Sequence, residues 1–325
     1  MNECANGRSA WRERRDMKIG LLTDSLADME FESMLDAAAA FGIETLEFAC
    51  GNWSTAPHID LDAMLESEAH RREFMAKLKD RGFAVSALNC SGNPLHPGTE
   101  GARQHEVTVK TFRLARLLGI DRIVMMSGLP GGPGDANPNW ITTDWPPECA
   151  KILQYQWDEV LVPYWRGLVE FARNLGIRRI CLELHGHQAV YNPYTLTRLR
   201  DAVGETVGAN YDPSHPLWMG ADPPAALKAL GSAIYYVHAK DTCVEAARAG
   251  IDGVLETRPA AQVSDRTWNY VTLGHGHGED WWRHFCGVLR SIGYDDVLSI
   301  EHEDASLPQQ EGVRQSVEML RNVLR

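Results

Sequence analysis

The chain reads as a single (β/α)8 barrel, and three observations predict it. Short apolar runs alternate with amphipathic stretches from Lys18 onward, the runs number eight, and 325 residues is an ordinary length for one barrel. Eight strand–helix alternations with apolar strands are the pattern of a parallel sheet closed on itself with helices outside. An open doubly wound sheet is the alternative. It would ordinarily carry a glycine-rich first turn for a nucleotide, whereas here the first strand runs into Thr23-Asp24-Ser25, and no P-loop follows.

Taken in order, the expected strands are Ile19–Thr23, Thr45–Ala49, Ala84–Asn89 and Arg122–Met126, then Arg179–His185, Val207–Tyr211, Ile234–Ala239 and Asp296–Glu301. Helical patterns lie between them. Met34, Leu35, Ala38 and Phe41 recur at helical spacing and are closed by Gly42, where a left-handed cap is wanted. Val313, Val317, Leu320 and Leu324 mark one face of a last helix. Two connections are long: Ser127 to Pro147, rich in Gly, Pro, Asn and Trp, and Thr242 to Leu273, polar and irregular. Both follow strands, so in a barrel both lie on the catalytic face as lids, specificity elements or subunit contacts.

Residues 1–17 are expected to be a flexible extension, and 18–325 the barrel domain. The extension holds Arg8, Arg12, Arg14 and Arg15 with no apolar stretch of signal-peptide type after them. No run reaches the roughly 18 apolar residues of a membrane span, which leads us to expect a cytoplasmic protein with no membrane partner. Seven scattered cysteines without a CxxC pair fit reduced thiols, and Cys181, inside an apolar strand, reads as a core residue. The net charge of −12, from 44 acidic and 32 basic side chains, argues against nucleic acid as a partner and is neutral toward a sugar.

The chemistry gathers at the ends of the last four strands. They read Leu182-Glu183-Leu184-His185, Asn210-Tyr211-Asp212-Pro213-Ser214-His215, Val237-His238-Ala239-Lys240-Asp241 and Ser299-Ile300-Glu301-His302-Glu303-Asp304. A carboxylate in an apolar strand is costly to bury without a partner or a metal. One such residue is ordinarily explained by an ion pair. Four ionisable groups at successive strand ends, where a barrel has its catalytic mouth, point to a metal site made of Glu183, Asp212, His238 and Glu301. Three carboxylates and one imidazole favour Mn2+, Mg2+ or Co2+, with Zn2+ admissible on affinity. Such a cation would leave positions for two adjacent sugar oxygens and stabilise an enediolate as a Lewis acid.

At these segments, and at Gly293-Tyr294-Asp295-Asp296, the sequence resembles the xylose-isomerase-like superfamily, in particular its sugar phosphate isomerase/epimerase group, over roughly Lys18 to Leu324. The resemblance implies the same four ligands. It also implies that Glu183 and Glu301 exchange protons with carbons on opposite sides of the substrate, and that His215 contacts substrate oxygens. The group includes isomerases, epimerases, a dehydratase of keto-inositol and the larger subunit of C-glycoside deglycosidases. All can begin with proton removal beside a carbonyl, and the last leaves room for a small partner subunit or a homo-oligomer. A DNA-repair endonuclease of the superfamily shares several of these positions but adds histidines for a three-metal cluster. Here the fourth strand ends Val124-Met125-Met126-Ser127, without one.

His185, and likewise His187, could reach substrate from beyond the first ligand, or pack a loop. Lys240 could polarise a carbonyl or pair with Asp241, a hydrogen-bonding or electrostatic role being preferred to a Schiff base. Arg266 is a substrate-binding candidate by approximate location only. His275 and His277 read as a structured turn rather than a second metal site. Trp53, Trp140, Trp145, Trp218 and Trp268 fall in strand-to-helix connections, where they could stack on a sugar or aglycone or anchor loops. Without a glycine-rich anion loop, an unphosphorylated sugar or glycoside is the expected substrate. The leading function is a divalent-metal-dependent sugar isomerase or epimerase working through an enediolate. A lyase on 3-oxo-glycosides or keto-polyols is the runner-up, and a non-catalytic carbohydrate-binding protein the third reading.

Overall fold

The computed structural model describes residues 17–325, so the expected N-terminal extension lies outside the described residues except for Met17, which is buried in the core. Eight parallel strands form the closed barrel: β1 (Lys18–Leu22), β2 (Thr45–Ala49), β3 (Ala84–Asn89), β4 (Arg122–Met125), β5 (Arg179–Glu183), β6 (Val207–Tyr211), β7 (Ile234–Ala239) and β10 (Val297–Ile300). All eight runs expected from the sequence are strands, each within about two residues of its expected ends. Sequence neighbours pair throughout, and β10 closes the ring between β7 and β1, with Lys18 opposite Val297 and Ser299 opposite His238.

The helix Phe31–Phe41 buries Met34, Leu35 and Ala38 and ends at Gly42, whose φ of 76° is the left-handed cap its sequence position called for. The last helix, Gln309–Leu324, buries Val313, Val317 and Leu320. Most of the core lies between barrel and helices and includes the fully buried Trp157, Trp165, Trp282 and Phe285. A smaller cluster joins Ala87, Val124, Cys181, Tyr236 and Val297. These come from five different barrel strands, and only the lumen lets such residues meet. Cys181 is thus a packed core residue, as its strand context suggested.

The structure corrects one connection. The segment after β7 is not irregular throughout: β8 (Asp241–Val244) pairs antiparallel with β9 (Trp268–Val271), Asp241 opposite Val271 and Val244 opposite Trp268. This hairpin stands on the catalytic face directly beyond His238. The Ser127–Pro146 connection has no regular element, and a helix starts at Pro147. Among the described residues no helix is long and apolar enough to cross a membrane.

Candidate metal centre and active site

Each of β5, β6, β7 and β10 delivers one group to the barrel mouth within one residue of its C-terminal end. One ligating atom from each of Glu183, Asp212, His238 and Glu301 can be chosen so that all lie within 4.8 Å of one another. His238 Nδ1 is 3.0 Å from Glu301 Oε2 and 3.5 Å from Glu183 Oε2. Asp212 Oδ1 accepts a 2.8 Å hydrogen bond from the Ser214 amide, which turns Oδ2 toward the cluster. Oδ2 is buried and makes no well-aligned hydrogen bond, although His215 Nε2 is 3.1 Å away and Lys240 Nζ 3.7 Å.

These residues fit a small divalent cation. Two ligands at about 2.1 Å from one ion stand at most about 4.2 Å apart, so the set needs to close by only a few tenths of an ångström. The orphaned Asp212 oxygen and the three convergent carboxylates are what a hard cation would satisfy. Electrostatics agree. Burial works against a charged His238, yet Glu47 and Glu301 outweigh it and raise its pKa well above the ordinary value. The point where the ligands converge is a place that calls for positive charge.

Surrounding groups fix the ligands. His215 Nε2 sits 2.8 Å from Glu183 Oε1, and its Nδ1 lies 2.9 Å from the Tyr270 hydroxyl on β9. Burial would depress this imidazole, but Asp212 and Glu183 lift its pKa to about 9. Lys240 Nζ is 2.5 Å from Glu303, 3.3 Å from Glu301 and 4.2 Å from the centre of the Tyr270 ring. Burial opposes its charge too, and the carboxylates prevail, so it is held as an ammonium. Its partners are these acids rather than Asp241. The two candidate proton-transfer residues are driven apart. Burial and the charge of Glu301 raise the pKa of Glu183. For Glu301, burial is outweighed by Lys240 and His238, and its pKa falls well below the carboxylate range.

One residue at the centre was not singled out from the sequence. Glu47, in the middle of β2, is fully buried, with Oε2 3.0 Å and Oε1 3.2 Å from His238 Nε2. Asn89 Nδ2 donates to it at 2.8 Å and the Ser299 hydroxyl at 2.8 Å. A carboxylate on the far nitrogen of a ligating histidine fixes its tautomer and ring plane. The available signal was a lone acid in the five-residue apolar run Thr45–Ala49.

A cavity of about 420 Å3 opens over the cluster, with Glu183, His185, Lys240 and Glu301 in its wall and Trp53, 52 % exposed, at its edge. The His185 ring centre is 4.0 Å from that of His215. Arg266 must be corrected: it is not in this wall. Its Nε donates to the Trp268 carbonyl at 3.2 Å, another nitrogen donates to the Arg258 carbonyl, and the guanidinium lies over the Trp268 ring. The hairpin claims it for its own structure. Trp218 is a loop anchor, stacked on Trp268 at 4.8 Å with 4° between planes. His277 and the amides of Gly274, Gly276 and His277 all bond to buried Asp241, which makes this segment the structured turn expected.

The fold and site define a class. Residues 35–323 match the xylose isomerase-like TIM barrel family, and the chain belongs to that family. It is 49% identical, over 311 residues, to the uncharacterized protein YfiH of Bacillus subtilis (strain 168), covering 95% of this chain and 99% of that one. Among solved structures it is similar to the probable 3-DHS dehydratase AsbF of Bacillus anthracis, with a TM-score of 0.67 at 17% identity (94% of this chain, 99% of that one). It is also similar to a D-tagatose 3-epimerase-like protein, with a TM-score of 0.62 at 20% identity (95% and 97%). At those identities the likeness is one of fold.

Proposed function

We propose that the protein is a divalent-metal-dependent sugar isomerase or epimerase that removes a proton beside the carbonyl of a keto sugar. The observation that carries this reading is the convergence of Glu183, Asp212, His238 and Glu301 on one point below a cavity of about 420 Å3. A cation held there, Mn2+ foremost with Mg2+, Co2+ or Zn2+ as alternatives, would polarise the carbonyl and stabilise the oxyanion that forms. Glu183 and Glu301 take and return the proton, each on its own side of the reacting carbon. His215 holds Glu183 through Oε1 and, with Tyr270 behind it, keeps that carboxylate from turning away. Lys240 offers a fixed ammonium to substrate oxygens, and His185 closes the wall beside it. The similar folds of a D-tagatose 3-epimerase-like protein and a probable 3-DHS dehydratase are in keeping with this type of chemistry.

A lyase reading on a 3-oxo-glycoside or keto-polyol remains the second choice, favoured by the exposed Trp53 face at the cavity edge, which suits an aglycone. A competent keto sugar incubated with the protein in D2O should gain deuterium beside its carbonyl. Chelation should stop this and Mn2+ restore it, while Glu301→Gln should abolish turnover. An isomer as product supports the first reading; released water or aglycone supports the second. Full activity in verified metal-free protein, or a substrate deuterium carried intact to the neighbouring carbon, would overturn proton transfer at a metal site.

A further inference from the structure

A second cavity, of about 540 Å3, lies on the helix side of β2, among the helices Phe31–Phe41, Leu61–Glu66 and Glu68–Asp80 and the connection that follows the strand. It shares no lining residue with the cavity at the barrel mouth. One loop parts the two: Trp53 and Ser54 belong to the mouth, whereas residues 55–59 line this groove.

The groove has the size of a small-molecule site, about 300–1,000 Å3. Phe31, Phe74, Ala56, Pro57, Ile59 and Leu61 give it an apolar wall, in which the two phenyl rings stack at 5.2 Å with 18° between planes. The wall is formed in advance. Ala56 holds a φ of 51°, in the left-handed region uncommon outside glycine, and its amide donates to Ser54 Oγ at 2.8 Å. Such a conformation persists only where the surroundings enforce it. Behind it, buried His58 is fixed with Nε2 2.9 Å from the Met29 carbonyl. A ligand that displaces water from such a fixed apolar wall is bound by the hydrophobic effect.

The charges of the wall narrow the ligand. Lys77 is the one lysine or arginine that lines it, and Glu32 and Glu73 already hold its ammonium, each at 3.0 Å. Burial lowers the pKa of His58, which favours its neutral form. Of the three lining carboxylates, Glu73 is paired with Lys77 and Asp62 with Lys110 at 2.9 Å, while Asp60 has no ion pair among the described residues. Asp60 accepts from the Ala63 amide through Oδ1 alone. An anion would meet three carboxylates and no uncommitted lysine or arginine. A cation would meet Asp60.

We propose that this groove is a ligand site for a small organic cation, an ammonium group carried on an aromatic or branched aliphatic body, with the body against Phe31 and Phe74 and the ammonium at Asp60. The site is separate from the barrel mouth and independent of the chemistry proposed there.

The test is calorimetric titration with phenethylamine, methylamine and phenylacetate at saturating Mn2+, which keeps amines off the carboxylates of the mouth. Phenethylamine should bind saturably, at least ten-fold more tightly than methylamine, because burial of the ring supplies most of the affinity. It should bind about three-fold or more tightly than phenylacetate, as expected for one exposed charge. Asp60→Asn, which keeps the helix cap, should weaken phenethylamine about three-fold. Leu61→Arg, which places bulk and positive charge in the groove, should abolish its binding. Thermal unfolding checks that both variants fold, and if Leu61→Arg does not, Asp60→Asn decides alone. No saturable binding of phenethylamine, affinity no greater than for methylamine or phenylacetate, or affinity unchanged in the folded variants would overturn the site. A concentration-dependent dimer that Leu61→Arg dissolves would make the groove a contact between copies of the chain and overturn it likewise.

Discussion

Replacing Glu47 by Gln tests how the candidate metal centre is held. The change keeps volume and removes one negative charge, but it also turns one acceptor oxygen into a donor. Every group facing Glu47 is already a donor as placed: His238 Nε2 at 3.0 and 3.2 Å, Asn89 Nδ2 at 2.8 Å and the Ser299 hydroxyl at 2.8 Å. If the new amide faces His238, the imidazole can accept only by carrying its proton on Nδ1. That is the nitrogen 3.0 Å from Glu301, and its lone pair is the one a cation needs. If the amide faces Asn89 instead, two donors confront each other in a buried site. Loss of such an outer partner lowers metal affinity about 10- to 100-fold, or about 1.4–2.7 kcal/mol. An unsatisfied buried donor costs stability of about 1–3 kcal/mol besides. Mn2+ titration of the folded variant beside the parent, with denaturant unfolding of both, reads the two effects separately. Mn2+ affinity within two-fold of the parent would refute the claim that Glu47 sets the His238 tautomer.

Two changes separate the two ends of the barrel. Asp212→Ala should remove most metal affinity without unfolding, because Asp212 lies at the mouth and the change gives up one aligned hydrogen bond, from the Ser214 amide to Oδ1; unchanged metal content would strike it from the ligand set. At the opposite end, Arg122 is buried, paired with Asp296 and set 5.2 Å from the centre of the Tyr236 ring. Arg122→Met should destabilise the fold by about 1–3 kcal/mol while Mn2+ affinity stays unchanged, as unfolding and metal titrations would register.

The fold was legible because parallel barrel strands are buried on both faces and leave apolar runs that local pattern alone can detect. The candidate metal site was legible for the related reason that Glu183, Asp212, His238 and Glu301 interrupt or end those runs, and the structure brings them together. Glu47 went unread because it lies in mid-strand and its meaning depends on His238, 191 residues away. The β8–β9 pairing joins two four-residue segments separated by 23 residues of polar chain, and no local periodicity announces it. Arg266 shows the same limit: its position in a loop was visible, but the hairpin carbonyls and Trp268 decide where its guanidinium goes.

The hairpin divides the chain's freedom unevenly. Its base is tied to the candidate site: Asp241 is gripped by the 274–277 turn, and Tyr270 touches both His215 and Lys240. Beyond the Val244–Trp268 rung the chain runs outward through Ile251 and Leu255, 85 % and 82 % exposed, before returning. Because the ladder joins the two sides, a cut or an added segment near residue 251 would leave both halves of the hairpin anchored. The outer stretch is thus where this barrel can be lengthened, nicked or fused to another module without loosening the residues beneath it.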